Sequence, residues 1–140
     1  MSVMTPEVIT LLERTTVGTL ATAASDGRPR QSLVYFAREG DRLLISTEPG
    51  RLKSRDVERT GWASLSVRTD SPPFPSATLS GPAEILTEGI GPPTAAIMQR
   101  ITGASEPPEP QTDEALAAVG RVILALTVEK ISAANYLDQL

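Results

Sequence analysis

The chain has 140 residues, 40% of them hydrophobic, with thirteen basic and seventeen acidic side chains and a formal net charge of −4. That length supports one domain, 1–140, with a core burying roughly two thirds of the unfolded surface, and the acidic balance argues against binding nucleic acid or an anionic membrane. The sequence contains no cysteine and no histidine, which excludes disulfides, thiolate nucleophiles, Ser-His-Asp triads, histidine bases and Cys- or His-ligated zinc, haem or iron–sulfur sites.

A reaction carried out on such a chain depends on chemistry brought by a bound cofactor and acts on a small-molecule substrate. The first residues, MSVMTPEVITLLERTT, carry no cationic segment leading into a long apolar run, and nothing approaches the ~18 apolar residues of a membrane span. The expected location is cytoplasmic.

Thr5-Pro6-Glu7 reads as a helix start: Thr5 caps, Pro6 suits the first position, and Glu7 favours the positive end of the dipole. Val8, Leu11 and Leu12 then form one apolar stripe. Strands are expected at 17–23 (VGTLATA), 30–38 (RQSLVYFAR) and 42–47, joined at Ser25-Asp26-Gly27 and Glu39-Gly40-Asp41 into an antiparallel meander. On the second, Leu33, Tyr35 and Ala37 share one face, and Arg30, Ser32, Val34 and Phe36 the other.

The third strand ends in Ser46-Thr47-Glu48-Pro49-Gly50, which cannot continue it. A short helix is expected next, with Leu52 and Val57 on its inner side and Arg51, Lys53 and Arg55 in its first turn. Cations at that end oppose the macrodipole by roughly 0.3–1 kcal/mol each. A bound anion reverses the sign, so the free N–H groups, the Ser46 and Thr47 hydroxyls and the cations together form a candidate phosphate cradle.

Gly61 closes that helix, and strands follow at 62–68 (WASLSVR), 76–87 (SATLSGPAEILT) and 121–128 (RVILALTV). Trp62 and Tyr35 read first as core or interface anchors and second as borders of a substrate pocket. Gly81-Pro82 implies a bulge or an edge. Helices are expected at 94–101 and 113–119, separated by the loop GASEPPEPQTD, and the tail EKISAANYLDQL is read as a further short strand that caps the sheet. The fold class is therefore mainly β: a six-stranded antiparallel barrel with peripheral helices.

The order of Leu20-Ala21-Thr22, Asp26-Gly27-Arg28-Pro29, Tyr35-Phe36, Gly40-Asp41, the apolar strand 43–47 and Arg51-Leu52-Lys53-Ser54-Arg55 resembles the split-barrel flavin and deazaflavin oxidoreductases, the pyridoxamine-phosphate-oxidase-like family. The resemblance implies a split β-barrel homodimer holding its cofactor in a groove between subunits. It further implies that Arg51 and Lys53 hold phosphate with Arg55 as a further anion contact, that Ser46 and Thr47 add hydroxyls, and that Ser32, Leu33 and Val34 meet the ring system. The short chain and cation-rich loop look most like the branch using the deazaflavin F420, with FMN as the alternative. The implied activity is hydride transfer from reduced F420 to an unsaturated planar substrate such as a tetrapyrrole (biliverdin), a quinone or an enone. An FMN-dependent oxidoreductase and a non-catalytic cofactor-binding protein are the alternatives. Absence of histidine departs from the typical pyridoxamine-phosphate oxidase and argues against a role in pyridoxine biosynthesis.

Overall fold

Residues 2–140 are described by a computed structural model. Helix α1 (Pro6–Arg14) starts as its sequence dictates: the Thr5 hydroxyl accepts the Val8 N–H at 3.3 Å, and Val8, Leu11 and Leu12 are buried beneath it. Strand β1 (Val17–Ala23) pairs antiparallel with β2 (Pro29–Tyr35), which places Thr22 opposite Arg30.

The expected strand 30–38 is two strands. β2 ends at Tyr35, Phe36 turns fully inward, and β3 (Ala37–Glu39) pairs instead with β4 (Arg42–Thr47). Arg100 holds the break open. Its Nε donates to the Phe36 carbonyl at 2.7 Å, its terminal nitrogen donates to the carbonyls of Leu12 (2.9 Å) and Thr15, and the guanidinium lies 5.1 Å from the Phe36 ring centre. A carbonyl that a strand partner would have satisfied is satisfied by a side chain, so the meander divides between two sheet regions.

After helix α2 (Leu52–Thr60) come β5 (Trp62–Arg68), β6 (Ser76–Leu86), helices α3 (Gly91–Thr102) and α4 (Asp113–Ala118), β7 (Val122–Thr127), β8 (Lys130–Asn135) and a closing 3-10 turn. Eight strands replace the expected six, the additions being the split second strand and the strand read in the tail. Their order is β2-β1-β5-β6-β7-β4-β3, with β8 also on β6, so both β2 and β3 are edges of a curled antiparallel split barrel.

Strand β6 joins the two halves. Residues up to Pro82 pair with β5, and those from Ala83 pair with β7. Gly81 stands at the changeover, where a Cβ would overlap the Thr127 carbonyl oxygen; only glycine permits that approach. The irregularity in pairing lies between Thr78 and Leu79, not at the Gly81-Pro82 pair itself.

Helix α3 begins three residues earlier than its periodicity suggests. Prolines 92 and 93 fit its first turn, where no N–H is required, and the Asp113 carboxylate accepts the N–H groups of Gly89 (2.9 Å) and Ile90 (3.1 Å). Leu20, Phe36, Leu43, Ile45, Leu65, Leu79, Leu124 and Leu126 fill the barrel, while Leu44, Ile90, Ile97, Leu116 and Ile123 form a second core beneath α3 and α4. Strand β7 is thus covered on both faces, which explains its unbroken apolar run from Val122 to Leu126.

Candidate functional site

Strand β4 leaves the sheet after Thr47, and the turn that follows is fixed from behind. The fully buried Ser54 hydroxyl donates to the Glu48 carbonyl at 2.8 Å, and the Arg51 N–H donates to the same oxygen at 3.2 Å. Arg51 therefore sits at the N-cap of α2 with extended backbone. No side chain caps the helix there, and no acidic residue occupies its first turn. These unfulfilled donors open onto a groove of about 310 Å³ lined by Arg30, Gln31, Ser32, Arg51, Leu52 and Lys53.

The groove's third cation is Arg30, not Arg55. Asp56 explains why. Its side chain, 3% exposed, accepts hydrogen bonds at Oδ2 from Thr22 Oγ1 and Arg30 Nε, both at 2.8 Å, while Arg59 approaches Oδ1 at 3.4 Å. Burial pushes this carboxyl up, but the bonds from Arg30 and Thr22, the Arg30 charge and the Arg59 bond outweigh it and hold the group below the ordinary carboxylate range. The ionised Asp56 clamps α2 onto β1 and β2 and fixes Arg30 at the groove wall through Nε alone.

Lys53 is pushed down from the ordinary ammonium range, first by burial and then by the neighbouring Arg51 charge, against a smaller upward pull from Glu48. Glu48 also approaches Arg51 at 3.5 Å in an exposed pair. Lys53 and Arg51 repel one another, and negative charge brought near them would offset that repulsion.

The other predicted residues are distributed as follows. Ser32 lines the groove, Leu33 is 75% exposed on the outer face of β2, and Val34 is buried in the barrel core, which leaves its backbone alone available. The Thr47 hydroxyl is buried and has no hydrogen-bond partner among the described residues. Ser46 points to the opposite side of β4 and lines a second, mostly apolar pocket with Tyr35, α3 and α4. Arg55 is exposed and outside the groove. Leu52 is corrected as well: it is 53% exposed at the groove, and Ser54, Asp56 and Val57 form the buried side of α2. Tyr35 (45% exposed) and Trp62 (46%) are not core residues.

Sequence reasoning passed over Arg30 as a cradle residue, although its parity on β2 carried a signal. It shares a face with the buried Val34 and Phe36, and a cation on an inward face requires a buried partner. Nothing in the linear order says that the partner is Asp56.

The profile of the family described as pyridoxamine 5′-phosphate oxidase matches residues 4–135. The chain belongs to this family. No curated protein matches the sequence. Among solved structures, a protein titled F420 reductase is 28% identical, with 88% of this chain and 94% of that one covered and a TM-score of 0.70. A conserved hypothetical protein from Mycobacterium tuberculosis is 23% identical over 99% of this chain and 89% of its own, at a TM-score of 0.75. An FAD and haem binding protein from Mycobacterium smegmatis is 24% identical over 91% and 68%, at 0.70. The last two establish likeness of fold. The scaffold is a split barrel of the pyridoxamine 5′-phosphate oxidase family, and no helix among the described residues is long and apolar enough to cross a membrane.

Proposed function

We propose that the protein is an F420-dependent oxidoreductase that reduces an unsaturated planar substrate. The observation carrying this reading is that Arg30, Arg51 and Lys53 line one groove at the uncapped start of α2, where the first N–H groups of the helix have no side-chain cap. Three cations suit a cofactor with a phosphate and an acidic tail better than one with a phosphate alone, and the 28% identical relative titled F420 reductase supports the same choice over FMN.

Lys53 and Arg51 would hold the phosphate as charged donors, Arg30 would add its terminal nitrogens, and Ser32 a hydroxyl at the groove wall. Because β2 is an edge strand, every second N–H and C=O from Gln31 to Val34 lacks a sheet partner and is available to a ring's polar edge. The chemistry that reduced F420 would supply, when bound, is hydride transfer. The chain supplies position and exclusion of water, and no side chain is assigned as proton donor.

Val17, Leu33, Tyr35 and Trp62 leave apolar surface on the outer face of β2, β1 and β5, the pattern of a face that expects cover. A second copy seated there, making a homodimer, would wall the groove. A haem role is disfavoured by the lack of histidine and cysteine. The test is a parallel titration with F420 and FMN, followed by fluorescence and melting temperature. Preferential F420 binding is expected. Preference for FMN moves the assignment to a flavin enzyme, and binding of neither overturns it.

A further inference from the structure

Three residues along β2 from Ser32, roughly 10 Å away at strand rise, Tyr35 stands at the mouth of a separate pocket of about 320 Å³ between β4, α3 and α4. Ile97, Ile101, Leu116 and Val119 make its walls apolar, and Ile101 and Val119 are 42% and 68% exposed. Ser46 on β4, Tyr35 at the end of β2 and Arg121, immediately before β7, also line this apolar chamber. None of the three side chains has an intramolecular hydrogen bond or ion pair among the described residues, although most of the chain's arginines do.

An apolar cavity with a few unpartnered polar groups is the usual form of a site for a small organic molecule. The single cation at the rim sets the sign of the ligand's polar end. The loop before α4 is tied across the chamber's far side, with Gln111 packed so closely on Gly91 that a Cβ there would overlap the Gln111 carbonyl, and with Asp113 bonded to the N–H groups ahead of α3. The wall is therefore pre-formed.

We infer that this pocket binds an organic anion with a flat apolar body, the body lying between Ile101 and Val119 and the anionic group on Arg121. That the bound molecule is the substrate rests on the preceding functional reading, since a ring extending along the β2 edge from the cation groove reaches Tyr35. The binding itself does not depend on it.

The test uses cofactor-free protein and two probes, 1-anilinonaphthalene-8-sulfonate and its uncharged counterpart N-phenyl-1-naphthylamine, titrated by fluorescence. Saturable binding of the sulfonate is expected. Arg121→Gln should weaken the sulfonate at least fivefold and the uncharged probe less than twofold, while Ile101→Trp, which fills the chamber from an exposed position, should weaken both at least tenfold. Lys53→Ala should change neither. Equal behaviour of Arg121→Gln and parent overturns the anion assignment, and indifference to Ile101→Trp overturns the pocket. Loss with Lys53→Ala would place the probe in the cation groove instead. A change of sedimentation on Ile101→Trp would make the face a contact between copies. Failure of F420 and FMN to bind would leave the probe result intact, so the two readings fail separately.

Discussion

Replacing Asp56 by asparagine tests whether the buried carboxylate clamps α2 to the barrel as a charge. The substitution keeps the shape, and the remaining carbonyl oxygen can still accept from Thr22 and Arg30 at the Oδ2 position. The Arg30 bond then loses its charge assistance, and the asparagine NH₂ is turned toward the Arg59 guanidinium, which donates to Oδ1 at 3.4 Å in the parent. A charge-assisted bond contributes about 1.5–3 kcal/mol and a neutral one about 0.5–1.5. Because Arg30 is one third exposed, solvent reclaims part of the difference, so the net loss is about 0.5–2 kcal/mol. Over 140 residues the unfolding entropy is about 0.3 kcal/mol/K, so the melting temperature should fall by about 2–7 °C at pH 7.

The pH dependence carries the sharper signature. The folded carboxyl titrates below its unfolded value of about 3.9, so its contribution is fully present above that value and is lost as pH falls through the folded pKa. Parent and variant should therefore converge in acid, read by thermal melts from pH 7 to pH 2. An Asp56→Asn protein as stable as the parent at pH 7, or a gap of constant width down to pH 2, would refute the reasoning.

Lys53→Ala should weaken cofactor binding by roughly tenfold to a hundredfold, the equivalent of one charge-assisted bond, with little change in melting temperature because it also removes repulsion with Arg51; unchanged affinity in the fluorescence titration would take Lys53 out of the site. Gly81→Ala should cost about 1–3 kcal/mol or more through overlap with Thr127, and a denaturant midpoint equal to the parent's would contradict the changeover described for β6. Leu33→Asp, at a 75% exposed position on the outer face, should shift sedimentation from dimer to monomer without unfolding the chain. A monomeric parent would dispose of the homodimer.

Local rules made much of this protein legible. Thr5-Pro6 starts α1, Gly61 ends α2 in the left-handed conformation, and alternation along 62–68 gives a strand with Ala63, Leu65 and Val67 inward, because caps, turns and two-residue periodicity act over a few residues. The cation-rich start of α2 was visible for the same reason, since macrodipole and side-chain charge meet within one turn. The break at Phe36 depends on Arg100, sixty-four positions later, supplying a hydrogen bond to a carbonyl. Likewise, Arg30 replaces Arg55 at the groove because Asp56 is buried beside Thr22, and the apolar chamber exists because α3 and α4 cover β4 and β7. The sequence by itself determined most of the elements and the cation-rich turn after β4, whose causes are local. Only the tertiary structure decided which cations share the groove and which hydrophobic side chains stay uncovered, because burial and pairing across the fold are properties of residues far apart in the chain.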